Sequence, residues 1–183
     1  VRLTMKRFSI LIILCAAVSS VAAQKESGDV RRGNSAYNKE KYVDAEVDYR
    51  KGLEKNAKSF SGNFNLGNAL YRQAKYAEAI EQFQAAAALA GNDKGRLAAS
   101  YHNIGNSLLE SGEFAKSIDA YKQALRNNPN DNDTRYNLVY AQQMLKQQQN
   151  KNQNKNKNQQ QEKQQQKEEQ QQDKNKQDQQ QQQ

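Results

Sequence analysis

Asn65-Leu66-Gly67-Asn68-Ala69-Leu70-Tyr71, followed by Tyr76-Ala77-Glu78-Ala79-Ile80 and then Phe83, is the stretch that decides how this chain folds. Leu66 and Leu70, then Tyr76, Ala79, Ile80, Phe83, Ala86 and Ala87, return every three or four residues, which sets each group along one face of an amphipathic helix. The period breaks at Ala74-Lys75, so the stretch is two helices joined by a short turn.

The hairpin recurs. Gly33-Asn34 aligns with Gly67-Asn68, Tyr42 with Tyr76, Ala45 with Ala79 and Tyr49 with Phe83, each pair 34 residues apart. A third copy carries Gly105-Asn106, Phe114, Ser117 and Tyr121 at an offset of 38, and its four additional residues are expected in the turn-like Gly91-Asn92-Asp93-Lys94-Gly95. Within this copy Ile104, Leu108, Phe114, Ile118, Tyr121 and Leu125 keep the helical period, with the break at Ser111-Gly112-Glu113. Pro129, the only proline, follows the second helix. Small residues at Gly33, Gly67 and Gly105 on the first helices, and at Ala45, Ala79 and Ser117 on the second, permit close approach of the helix axes. Tyr49, Phe83 and Tyr121 fill the space beside each contact, where a buried aromatic contributes about 2–3 kcal/mol.

This spacing resembles the tetratricopeptide-repeat (TPR) motif from about Glu26 to Pro129. The resemblance implies an all-α fold, a short TPR solenoid of three helix hairpins with repeats at about 26–59, 60–93 and 98–131. Tyr136-Asn137-Leu138-Val139-Tyr140-Ala141 resembles the first helix of a fourth repeat without its partner, which implies a capping helix over 132–146. The first repeat departs from the pattern, with Arg32 in place of Leu66 and Ile104, and Ala36 in place of Leu70 and Leu108; a half-exposed terminal repeat tolerates both.

The flanks read differently. Met5-Lys6-Arg7, the apolar run from Phe8 to Val18 and Ser19-Ser20-Val21-Ala22-Ala23 have the order of a secretory signal, predicting residues 1–23 as a signal peptide cleaved after Ala23 and an exported, periplasmic product. Cys15 is the only cysteine, and Leu14 stands where a lipidation site wants a small residue, so the expectation is a mature chain without cysteine or disulfide. A hydrophobic share of 36% and a mean hydropathy of −1.15 are too polar for a core spread over all 183 residues. No apolar side chain follows Leu145, so the TPR domain is assigned to 24–146 and residues 147–183 to a disordered Gln/Asn/Lys-rich tail. The tail lacks the apolar seam of a coiled coil; self-association is its alternative role.

Charge and chemistry exclude several function classes. Removal of Arg2, Lys6 and Arg7 lowers the net charge from +8 to +5, and the stretch from Gln147 holds seven lysines against five acids, leaving +3 on the folded part. That is no dense basic stripe, so a nucleic-acid partner is not expected. His102 stands alone without a cysteine or a clear base partner, and reads as a polar residue on the exposed inner face rather than a general base. One histidine among Asn, Tyr and Ser cannot make a zinc site, so no metal, no cofactor and no enzymatic activity are expected.

The informative residues are the asparagines. Asn34, Asn68 and Asn106 each follow a packing glycine, and Asn65 and Asn103 stand three residues before the latter two, on one helix face. In the TPR resemblance that face lines a concave groove, and the implied partner-binding set is Asn34, Tyr37, Phe64, Asn65, Asn68, Tyr71, His102, Asn103, Asn106, Tyr136, Asn137 and Tyr140. An amide there can donate to and accept from an extended backbone, or instead satisfy neighbouring helices. TPR chaperone adaptors grip an acidic C-terminus with two asparagines and three cations; Asn34 and Asn65 match the amides, but Val30, Ala99 and Asn103 hold the cationic places. An apolar or aromatic segment, or a partner helix, is the expected ligand.

The order of signal, three repeats, cap and Gln/Asn/Lys tail resembles the TPR proteins of the Bacteroidetes aerotolerance (Bat) operon. That resemblance implies an exported, non-enzymatic scaffold in a cell-envelope complex linked to aerotolerance and stress, with von Willebrand factor A domain proteins as partners and a MoxR-type ATPase encoded nearby. Membrane association would come only through partners or an uncleaved signal. The alternative is a structural envelope component that binds peptidoglycan or lipoproteins through its polar tail.

Overall fold

The computed structural model describes residues 27–154; the readings of residues 1–23 as a signal and of 155–183 as a disordered tail lie outside them. Six helices form three hairpins: α1 (Ser27–Asn38) with α2 (Tyr42–Lys55), α3 (Phe60–Arg72) with α4 (Tyr76–Leu89), and α5 (Lys94–Glu110) with α6 (Phe114–Asn127). A seventh, α7, runs over residues 132–154. Each hairpin docks on the next, α2 on α3 and α4 on α5, and the described residues contain no strand. The fold is the TPR-type helical solenoid that the repeat spacing implied.

Local chemistry sets the helix ends. The Ser59 hydroxyl accepts from Gly62 N at 2.9 Å, Asp93 Oδ1 from Arg96 N at 3.0 Å and Asp131 Oδ1 from Thr134 N at 3.0 Å, so α3, α5 and α7 each begin at a side-chain cap. Within each hairpin the first helix ends in a left-handed residue: Glu40 (φ 58°), Ala74 (φ 58°) and Gly112 (φ 75°). The next amide then reaches back to the last turn, Lys41 N to Ala36 O, Lys75 N to Leu70 O and Glu113 N to Leu108 O, all within 3.0 Å. Only the third copy uses glycine there, which is why the first two turns carry no glycine signal.

Two expectations are corrected. The four extra residues of the third copy do not lie in the turn: α5 has 17 residues where α3 has 13, and each link between hairpins is the same length (56–59 and 90–93). One added helical turn of about 3.6 residues keeps the buried face in register, so the insertion costs no contact. The helical boundary drawn at Lys146 is also too early, because α7 continues to Asn154 with residues 146–154 exposed. Once a docked helix supplies the nucleus, Gln and Lys propagate it without apolar contacts.

The core repeats with the sequence. Ala45, Ala79 and Ser117 are wholly buried between the helices of their hairpins, and the Ser117 hydroxyl donates to Gly105 O at 2.8 Å. Tyr49, Phe83 and Tyr121 are equally buried and lie flat over the glycines. A Cβ on Gly33, Gly67 or Gly105 would stand 2.5 Å, 2.6 Å and 2.5 Å from these respective rings. Leu66, Leu70, Ile104 and Leu108 join the hairpins into one cluster, and Ile118, Tyr121 and Ala141 seat the cap with Leu109, Leu138 and Leu145. Gly67→Ala should therefore lower stability: overpacking against the Phe83 ring costs about 1–3 kcal/mol, more than the ~1 kcal/mol that alanine gains in helix propensity. A thermal melt followed by circular dichroism should show Tm lower by roughly 5 °C; an unchanged or higher Tm would show that the ring moves aside freely.

Candidate functional site

The first helices α1, α3, α5 and the cap α7 stand side by side, and their asparagines form a ladder across the stack. Asn65 Nδ2 donates to Asn34 Oδ1 at 3.0 Å, Asn103 Nδ2 to Asn68 Oδ1 at 3.0 Å, and Asn137 Nδ2 to Asn106 Oδ1 at 3.0 Å. In the outer repeats the buried tyrosines join it, Tyr49 OH donating to Asn34 Oδ1 and Tyr121 OH to Asn106 Oδ1, each at 2.7 Å. Burial pushes the Tyr49 phenol up to about 12 and the Tyr121 phenol higher still, so both stay protonated donors. Phe83 has no hydroxyl, and Asn68 Oδ1 takes Asn103 alone.

The ladder is thus half spent on the fold and half open. Among the described residues, Nδ2 of Asn34, Asn68 and Asn106 has no acceptor, and Oδ1 of Asn65, Asn103 and Asn137 has no donor. Each rung leaves one donor and one acceptor, the complement of an extended peptide unit. One end of each side chain satisfies a neighbouring helix, and the other end is left unbonded.

Two clefts flank the ladder. One of about 360 Å³ is lined by Asn34, Tyr37, Asn38, Tyr49, Asn65 and Asn68. The other, about 290 Å³, lies between Tyr71, Leu109 and Glu110 on one side and Tyr136, Asn137 and Tyr140 of the cap on the other, with Asn106 in its lining. Tyr136 is 72% and Tyr140 44% exposed. Neither lining contains a lysine or arginine, and Glu110 is the one charged side chain in them. The structure thus brings together ten of the twelve sequence-derived site residues, counting Asn103 through its bond to Asn68.

Phe64 and His102 are the exceptions. Phe64 stacks on Phe60 at 5.5 Å and meets Phe83 edge-on at 5.6 Å, so it belongs to the core beside Gly67 rather than the groove. His102 occupies the same position one repeat later, against the Tyr121 ring at 6.0 Å, and is half-buried, not exposed on the inner face. Its Nδ1 lies 2.6 Å from the Thr134 hydroxyl, which donates its single proton to Asp131 Oδ2 at 2.6 Å. The imidazole therefore carries the hydrogen on Nδ1. Thr134 is fully buried, and the relay fastens the cap to α5. Sequence spacing held a signal for this: position 136, where Tyr136 stands, is the next equivalent, and it is exposed because no second helix covers α7 among the described residues. Among the described residues no group of three or more His, Cys, Asp or Glu side chains could hold a metal.

Comparison with known proteins agrees with this fold. Residues 56–130, the second and third hairpins, match the tetratricopeptide-repeat family. The first TPR domain of Spaghetti (RPAP3), solved with the HSP90 peptide SRMEEVD, is 24% identical, with 67% of this chain and 94% of that one covered at a TM-score of 0.61. The Sgt2 TPR domain of Aspergillus fumigatus is 14% identical, covering 67% and 80% at 0.60. The Yersinia enterocolitica secretion chaperone SycD, solved with a peptide of the translocator YopD, is 18% identical, covering 64% and 87% at 0.53. Comparison with curated proteins gives no match.

Thr134→Val should loosen the cap selectively. It leaves the His102 N–H without its acceptor and Asp131 Oδ2 without its hydroxyl donor, at a cost of about 1–3 kcal/mol, visible as faster hydrogen exchange in α7 than in α3. Burial holds His102 below its ordinary 6.5 against the opposing pull of Asp131 and Asp133. The unfolded chain then binds the proton more readily, so the contribution is full above about 6.5 and fades as pH falls through the lower folded value. Equal exchange in α7 of variant and wild type at pH 7 would remove the relay from the cap's docking.

Proposed function

We propose that the concave face holds a segment of a partner protein and that the chain is a non-enzymatic interaction scaffold. The observation that carries this reading is the ladder with its unspent donors and acceptors, running between two tyrosine-lined clefts. Peptides accompany the solved structures of the Spaghetti TPR domain and of SycD, whose folds this chain resembles, which supports peptide capture. The ligand differs in chemistry from the acidic HSP90 tail: Asn34 and Asn65 bond to each other, and no cation lines either cleft. A segment with apolar or aromatic side chains, its backbone on the amides, fits better.

We also propose that this scaffold works outside the cytoplasm, in the periplasm, within a cell-envelope complex of the aerotolerance type whose partners include von Willebrand factor A domain proteins. The support is the basic, apolar and small-residue order from Met5 to Ala23 and the sequence of leader, repeats and polar tail. Association with the inner membrane would then come through the partners or a retained leader.

Tyr136→Ala with Tyr140→Ala is the cleanest test, because both side chains are exposed and the asparagines also hold the fold. Removing such anchors costs about 2 kcal/mol or more, so partners crosslinked to the full chain in envelope should fall by roughly tenfold or more while helix content and Tm stay the same. Undiminished capture by this variant would move the site off the groove. For export, the mass of the protein from envelope should begin at Gln24; a chain that keeps residues 1–23 and stays in the cytosol would overturn that part.

A further inference from the structure

The two junctions between hairpins occupy equivalent places and are built in opposite ways. At the first, Glu46 of α2 accepts from Gln73 Nε2 and Lys75 Nζ, both at 2.9 Å, and from Arg50, which also reaches Glu78 at 3.0 Å. This polar strap closes the second-helix side of the stack between α2, α3 and α4. Burial alone would raise Glu46, but the hydrogen bonds from Lys75, Arg50 and Gln73 outweigh it and bring the carboxyl to about 2, so the strap is ionised throughout the physiological range.

At the second junction every member of the strap is replaced. Adding the repeat offsets, Glu46 becomes Ile80, Arg50 becomes Gln84, Gln73 becomes Ser111, Lys75 becomes Glu113 and Glu78 becomes Lys116, while the bulky Leu53 becomes Ala87. What remains is an open cleft of about 770 Å³ between α4, α5 and α6. Its floor is apolar, with Ile80, Ala87, Tyr101, Ile104, Leu108 and Ala120. Acids rim it: Glu113 and Asp119 are paired with Lys116 and Lys122, and Glu81 has no ion-pair partner among the described residues.

We propose that this cleft is a second binding site, on the side opposite the groove, for an amphipathic helix of a partner that inserts aliphatic side chains and sets a lysine or arginine against Glu81. The size and apolar floor fit two or three aliphatic side chains on successive turns, and the uncompensated carboxylate selects a basic flank. The site is independent of the groove, and the scaffold could hold two proteins at once.

The probe is a synthetic helix with leucine at three- and four-residue spacing and lysine elsewhere, titrated into the full chain, with an otherwise identical peptide carrying glutamate for lysine. The lysine peptide should shift amide resonances of α4, α5 and α6, and the glutamate peptide should bind at least tenfold more weakly. Grafting the first junction's strap (Ile80→Glu, Gln84→Arg, Ser111→Gln, Glu113→Lys, Lys116→Glu) should weaken binding at least tenfold without loss of helix content. Ala87→Leu, which only fills the cleft, should do the same if the graft fails to fold. Tyr136→Ala with Tyr140→Ala should leave this binding unchanged, which separates it from the groove. No binding of the lysine peptide, equal binding of both peptides, equal binding by the filled variant, or shifts confined to the asparagine face would each overturn the proposal.

Discussion

An aromatic ring lying on a bare helix backbone holds each hairpin together. Tyr49, Phe83 and Tyr121 rest on Gly33, Gly67 and Gly105 at distances that leave no room for a Cβ, and this sets the separation of the two helices. Buried Ala45, Ala79 and Ser117 secure the same approach from the other helix. Everything else inherits that spacing: the leucine and isoleucine rows meet across hairpins, and the first helices align so that their asparagines fall within hydrogen-bond reach. The cap carries Val139 at the equivalent of the glycine, 52% exposed, so no further hairpin of this geometry can be added.

The ring also connects core to groove. A tyrosine in place of phenylalanine extends from beneath the glycine to the asparagine one residue on, so that Tyr49 and Tyr121 pin the amides that a ligand would meet. Pinning removes rotamer freedom before any ligand arrives, which reduces the ordering entropy that peptide capture would otherwise cost. It also fixes which end of each amide is presented, a donor from one helix and an acceptor from the next. With no cation in the lining of either cleft, the surface offers amides and aromatic rings and no charge to pair with a terminal carboxylate.

The polar strap and the open cleft show how one repeat unit serves different ends. Glu46 with Gln73, Lys75 and Arg50 binds the first two hairpins where their apolar contact is thinner, Arg32 and Ala36 having replaced the leucines and isoleucine of the other copies. The second junction has Leu66, Leu70, Ile104 and Leu108 in its core and can leave its outer side unfilled. The added turn of α5 brings Gly95 and Arg96 into the helix, and the Arg96 guanidinium sits 4.8 Å over the Phe60 ring, tying the insertion to the preceding repeat.

Much of this was legible in the sequence because repetition isolates what packing requires. Periods of three and four gave the helices, the offsets of 34 and 38 gave the hairpins, and glycine, alanine and aromatic at fixed places gave their contact; the asparagine face followed from the same register. The sequence could not place the extra four residues, since a turn of helix and a longer loop both accommodate Gly91-Asn92-Asp93-Lys94-Gly95, and only the cap at Asp93 decides for the helix. Nor could it tell Phe64 and His102 from groove residues, because one helix face grades into the next and the packing of Phe83 and Tyr121 determines which side is covered. Periodicity and spacing by themselves determined a helical repeat, and composition a polar extension beyond it. Tertiary structure alone decided how the amides divide between fold and solvent, and which junction closes, because both depend on distances between residues 27 to 35 apart in the chain.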